Sequence, residues 1–156
     1  MRRDATRICQ TPLGAKVDQY AALCTRSADL APGDVEVLLI TSRDTGRWVI
    51  PKGWPMSKKK PHQVAKQEAW EEAGVRGRVS KLPLGHYTYD KKISLDEVLP
   101  CLVQVYLLMV SEVEDEFPEK GQRRKRWCSP ADAALAVNEP GLQQLLFNLG
   151  GQNADV

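Results

Sequence analysis

GWPMSKKKPHQVAKQEAWEEAGV, running from Gly53 to Val75, is the stretch that decides how this chain is read. Its second half is bounded like a helix. Pro61 suits a first helical position, where the missing N–H costs nothing, and Gly74 stands where a left-handed residue closes a helix. The spacing predicts a helix over Pro61 to Ala73. Its start is poorly capped, because Lys60 cannot accept a backbone N–H as Ser, Thr or Asp would. Lys58, Lys59 and Lys60 also place positive charge at the positive end of the helix dipole, a cost that a bound anion relieves. Within the helix, offsets of three and four set Glu68, Glu71 and Glu72 side by side, with Cβ atoms ~5 to 6 Å apart. Ala65, Ala69 and Ala73 recur at steps of four on another stripe, small enough for close approach to a sheet. Taken alone, three adjacent carboxylates describe a solvated acidic face. The functional alternative is a hard divalent cation such as Mg²⁺, which takes oxygen ligands and removes the repulsion.

Outward from the helix the chain alternates strands and turns. Gln19 to Cys24 and Val35 to Ser42 read as strands, the second nearly all apolar, as expected of a strand covered on both faces. Ala31-Pro32-Gly33-Asp34 makes the turn between them. A second turn at Ser42 to Gly46 leads to a short strand at Arg47 to Ile50. After the helix, strands are expected at Val79 to Leu84, His86 to Tyr89, Leu99 to Val110 and Arg126 to Cys128. Ser129 can cap a further helix with Pro130 in its first position, Pro140 ends or kinks it, and Gly141 to Leu149 forms a last helical segment. No repeat divides the chain. The expectation is one domain over residues 14–149, with tails at 1–13 and 150–156, of α/β or α+β class with a mixed sheet covered on both faces.

Composition narrows the functional classes. The 156 residues are 42% hydrophobic and 27% charged, the balance of a globular chain. Twenty-two basic residues nearly cancel 20 acidic ones, leaving a net charge of +2, so bulk charge calls for no nucleic acid. The longest mainly apolar run, Val98 to Val110, is interrupted by Pro100 and Gln104 and falls short of the ~20 residues that span a bilayer. Met1 to Pro12 lacks the apolar core of a secretory signal. Cys9, Cys24, Cys101 and Cys128 form no Cys-x-x-Cys pair, and Cys24 and Cys101 sit in strand-like runs as small core hydrophobes. These features lead to the expectation of a cytoplasmic protein with reduced thiols and no membrane partner. Neither a phosphate-binding Gly-rich loop before Lys-Ser/Thr nor a dinucleotide fingerprint is present, which removes the support for NTPase and Rossmann readings.

The 23 residues from Gly53 to Val75 resemble the signature of the Nudix hydrolases. Gly53, Glu68, Ala69, Glu71, Glu72, Gly74 and Val75 match that pattern at its spacing. Lys59 stands where the family has Glu, and Gln67 where it has Arg, so an ion pair is lost without stranding one buried charge. Pro51-Lys52-Gly53-Trp54, Gly74-Val75-Arg76-Gly77 and Arg124-Lys125-Arg126-Trp127 are similar to the diphosphoinositol polyphosphate and diadenosine polyphosphate phosphohydrolases. The resemblance implies a Nudix-type α/β/α sandwich with the metal-binding helix on one side of the sheet and the C-terminal helix on the other. It implies Mg²⁺, with Mn²⁺ as a substitute, held by Glu68, Glu71, Glu72 and the Gly53 carbonyl. Glu68 is the first choice of base, and Glu112, Glu116 and Glu119 are the contributors to consider from outside the box.

The substrate side follows from charge. Glu112 to Glu119 is an acidic block and Lys120 to Arg126 a basic one, and Arg and Lys are what a phosphate-rich ligand needs. Lys52, Arg124 and Arg126 are the expected substrate contacts; on a strand, alternate members of the basic run face opposite ways. The implied activity is cleavage of a phosphoanhydride in a diphosphoinositol polyphosphate or dinucleoside polyphosphate, by a monomer or homodimer. ADP-ribose or a nucleotide sugar is the alternative substrate. A binding module with little turnover is the alternative function, motivated by Lys59 and Gln67.

Overall fold

Alternation along the strands explains the layering. The computed structural model describes residues 16–28 and 34–154, so Ala31–Gly33 of the expected first turn and the 1–13 tail lie outside the described residues. Strands β1 (Val17–Ser27) and β2 (Val35–Thr41) are apolar on both faces over most of their length. Ala21, Leu23, Val37 and Leu39 point to one face, while Ala22, Cys24, Leu38 and Ile40 point to the other. Each face therefore needs its own cover.

The covers are helical. Helix α1 (Pro61–Ala73) has the predicted limits and ends on Gly74 in the left-handed conformation, φ 72°. Its Lys60 N-cap contributes no side-chain cap, but the Gln63 side chain accepts the Lys60 N–H at 2.8 Å, so half of a capping box compensates. Ala65, Ala69 and Ala73 are fully buried against the second sheet face. The opposite face is covered by α2 (Pro130–Ala136) and α3 (Pro140–Ala154), through Ala133, Ala134, Val137, Leu142 and Leu146. Ser129 caps α2 by accepting the Asp132 N–H at 3.1 Å. Pro140 neither ends nor kinks α2, which stops at Ala136; it opens α3, and α3 continues past Leu149 through the stretch expected as a tail.

Among the described residues, eight strands form one mixed sheet, with the path β3 (Trp48–Val49), β2, β1, β7 (Val98–Val113), β5 (Val75–Val79). β1 and β7 run parallel; the other pairings are antiparallel. β6 (Gly85–Lys92) and β5 follow one another along a single edge of β7. The expected strand at Val79 to Leu84 is instead the end of β5 followed by a connection. Ser80 and Leu84 still donate to the Leu107 and Val105 carbonyls, but Pro83 has no N–H and residues 81–83 arch away. β1 and β2 pair only where Thr25–Ser27 meets Val35–Val37, and then separate. β4 (Lys52–Gly53) takes the vacated place, with Gly53 opposite Tyr20 and Lys52 opposite Ala21. β8 (Lys125–Cys128) pairs with the other edge of β2.

The alanine stripe makes a testable statement about this packing. Ala69→Leu forces extra methylenes between α1 and the sheet, and overpacking of this kind costs ~1 to 3 kcal/mol. Urea denaturation should show that loss as a lowered midpoint with an unchanged slope; a midpoint at the wild-type value would mean the interface is looser than described.

Candidate active site

Helix α1 carries its carboxylates inward. Glu68 and Glu72 are only 9% and 8% exposed, although both belong to the most water-seeking residue types. Gly53 creates the room for one of them: a Cβ there would overlap the Glu68 carboxyl group. Glu72 accepts the Lys52 backbone N–H at 3.4 Å and faces the Arg123 guanidinium at 3.7 Å. Glu71 lies one step around the helix, where Gln67, one turn earlier, donates to it at 2.6 Å. Gln67 thus gives Glu71 a charge-assisted hydrogen bond within the same helix. Lys59 is exposed and forms no ion pair among the described residues.

The three carboxylates share a 310 Å³ cleft with Lys52, Gly53, Gln19, Tyr89, Glu119 and Arg123. Its walls come from both sides of the split between β1 and β2. Lys52 extends over the Tyr89 ring, 5.1 Å from its centroid, and the Tyr89 hydroxyl donates to Gln19 at 2.8 Å. Burial pulls the Lys52 pKa down, and the Glu72 and Glu139 carboxylates oppose that shift. Glu139, which precedes α3, is 7% exposed; Arg47 reaches one of its oxygens at 3.5 Å while the other has no hydrogen-bond partner.

Arg123 belongs to the basic block at Lys120 to Arg126 but is not among the expected substrate contacts. Its side chain is 9% exposed and bridges Glu72, Glu119 at 3.2 Å and the Thr41 carbonyl at 3.1 Å. The loop bearing it is tied to the end of α1: Glu119 N–H donates to the Glu71 carbonyl, Glu114 N–H to that of Gly74, and the Lys125 ammonium to that of Ala73. These bonds satisfy carbonyls that the helix itself leaves unpaired. Alternation explains which basic residues reach the cleft. Arg123 and Lys125 turn toward α1, whereas Arg124 and Arg126 turn to the opposite face and lie 5.3 and 6.0 Å from the Trp48 ring centroid. Of the three expected substrate contacts, only Lys52 lines the cleft. Of the acids beyond α1, Glu119 lines it, Glu116 pairs with Lys120 on the surface, and Glu112 lies opposite Arg76 in the β5–β7 register.

Electrostatics show what the cleft lacks. Burial, a hydrogen bond shared with Glu72 and repulsion from neighbouring carboxylates push the Glu68 pKa up to about 9. Burial raises Glu72 as well, with the shared hydrogen bond, Arg123 and Lys52 acting against it. Among the described residues no three acidic, His or Cys side chains stand in a ready-made ligating cluster. The donor chemistry nevertheless fits a hard divalent cation: Glu68, Glu71 and Glu72 supply oxygens, and the raised pKa values of Glu68 and Glu72 show that the protein alone does not stabilise both as carboxylates.

Fold and cleft together match a known class. A NUDIX domain model matches residues 24–149, and the chain belongs to the Nudix hydrolase family. Nudix hydrolase 12, mitochondrial, of Arabidopsis thaliana is 35% identical over 115 residues, covering 72% of this chain and 57% of the plant protein's length. Diphosphoinositol polyphosphate phosphohydrolase 3-beta of Bos taurus is 32% identical over 140 residues, covering 84% of this chain and 77% of that one. The crystal structure of the C. elegans Ap4A hydrolase superposes with a TM-score of 0.64 at 20% identity, covering 88% and 98% of the two chains, a likeness of fold. The Cys24 thiol, buried at the end of the β1 core and pushed up to about 12, takes no part in the site.

The raised Glu68 pKa sets a pH dependence for the metal-free protein. The folded state holds this proton to about pH 9, whereas the unfolded chain releases it near the ordinary value of 4.5. The folded state therefore binds the extra proton within that window, and stability falls as pH rises through it. Thermal melts from pH 5 to 9 should show a falling Tm that Glu68→Gln flattens; equal pH slopes for the two proteins would refute the assignment.

Proposed function

We propose that this protein is a divalent-metal-dependent pyrophosphohydrolase that cleaves a phosphoanhydride in a diphosphoinositol polyphosphate or a dinucleoside polyphosphate. One observation carries the reading: buried, mutually repelling carboxylates and a buried ammonium group line the same cleft. Glu68, Glu71, Glu72 and the Gly53 carbonyl would hold Mg²⁺, or Mn²⁺ in its place. A bound divalent cation screens phosphate charge and acidifies a coordinated water.

The remaining chemistry belongs to the chain. Glu68, ionised once the site's negative charge is compensated, accepts the proton of the attacking water. Lys52, held between the Tyr89 ring and the Glu72 and Glu139 charges, presents a positive group to the phosphate oxygens. Arg123 fixes Glu72 and Glu119 relative to each other, and Gln67 orients Glu71. The relatives named above support a phosphate-rich substrate. The Gln67–Glu71 bond favours turnover over a mere binding role, because it holds the Glu71 carboxylate in a fixed orientation.

Two measurements test this. With Mg²⁺, the purified protein should release phosphate or nucleotide from a diphosphoinositol pentakisphosphate or diadenosine tetraphosphate with higher kcat/KM than from ADP-ribose; binding without release on every substrate would establish the non-catalytic alternative. Glu72→Gln, which keeps the shape and removes the charge, should lower kcat on the order of 10²-fold or more with the circular dichroism spectrum retained. Full activity in that variant would remove Glu72 from the site.

A further inference from the structure

We propose that the outer flank of α1 and the neighbouring edge strand β5 form a second binding site, for small multiply phosphorylated anions, separate from the cleft. Two contiguous troughs, of 640 and 370 Å³, run along this flank and share Gln63, Lys66 and Arg76. No residue lining either trough lines the cleft. Their volumes lie in the ~300 to 1,000 Å³ range of small-ligand sites.

The charge is one-sided. Lys58, Lys59, Lys66, Arg76, Arg78 and Lys81 line the troughs, and Glu112 is the one carboxylate among the lining residues. Several surface cations outside the troughs are paired, as in Arg26–Glu36 and Lys120–Glu116. Here only Arg76 has an acidic partner, Glu114 at 3.9 Å, and the other five form no ion pair among the described residues. All six are exposed. Like charges gathered on one concave face repel, and clustered phosphates offset that cost. The exchange at Lys59 contributes directly, since a Glu there would halve the charge contrast at the mouth of the smaller trough.

The lining also says what kind of anion fits. Trp70 is the large aromatic side chain of the troughs, and the Arg76 guanidinium covers its ring at 3.7 Å. Phe117 packs beside the same ring, with centroids 6.4 Å apart. No indole face is offered for stacking a base, which single-stranded nucleic acid sites use. Ammonium point charges in an open trough recognise charge density rather than a planar group. The ligand class, though not the existence of the site, rests on the proposed function: its sources are the phosphate-rich substrate itself or the phosphate released from it.

Isothermal titration of the metal-free protein with inositol hexakisphosphate, a multiply phosphorylated ring without an anhydride, tests the site, and a parallel titration with inorganic phosphate distinguishes the two sources. Wild-type protein should bind two equivalents of the hexakisphosphate. The Lys66→Glu, Arg78→Glu double variant should lose one of them, weakened about tenfold or more, while Lys52→Ala keeps it. Both trough substitutions are at exposed positions; if the charge-reversed protein melts early, the neutral Lys66→Ala, Arg78→Ala pair repeats the measurement. Two undiminished equivalents in the trough variants, or a single equivalent abolished by Lys52→Ala, would overturn the site. Tighter binding of a single-stranded oligonucleotide than of the hexakisphosphate would overturn its assignment to small anions. If no substrate turns over but the trough equivalent behaves as described, the hydrolase reading falls and this site stands.

Discussion

Two carboxylates buried between a helix and a sheet, Glu68 and Glu72, dictate how the surrounding elements are arranged. Glu68 and Glu72 lie within the packed layer because the alanine stripe brings α1 close and because Gly53 has no side chain to oppose Glu68. Isolated charges do not survive such an environment, so each is shared, shifted or partnered. The split between β1 and β2, the insertion of β4 and the tether from Glu119 to the end of α1 all bring partners to these two groups. Crowding and burial raise the pKa values of both groups, a cost that the proposed divalent cation would offset.

A net charge of +2 conceals strong local segregation. Acidic groups are turned inward on α1, Lys52 and Arg123 stand opposite them, and a second set of cations, of which only Arg76 has an acidic partner, gathers on the outer flank of the same helix. One helix thus separates a carboxylate-rich face from a lysine-rich one. The two departures from the family signature fall on this division: Gln67 preserves the orientation of Glu71 without adding charge, and Lys59 adds charge to the outer flank.

Local rules made much of this legible. Pro61 and Gly74 mark the ends of α1, Ser129 marks the start of α2, and the alanine spacing identifies the packed stripe. Local rules failed where long-range contacts decide. The β5 boundary follows from pairing with β7, and α3 continues beyond Leu149 through Gly150 and Gly151, residues that locally favour a helix stop. Alternation sets Arg123 and Arg124 facing apart, but the direction of each depends on how the segment leading into β8 is held against Thr41.

Capping, periodicity and residue size act over a few neighbours, and they suffice to set the helix, its carboxylate triplet and the two-sided apolar strands. Long-range packing, by contrast, brings Arg123 rather than Arg124 or Arg126 into the cleft, adds Glu119 to it, and buries Glu139 with one oxygen unpaired. Those outcomes depend on strand register and on desolvation by elements distant in the chain, and neither quantity is carried by any short stretch of residues.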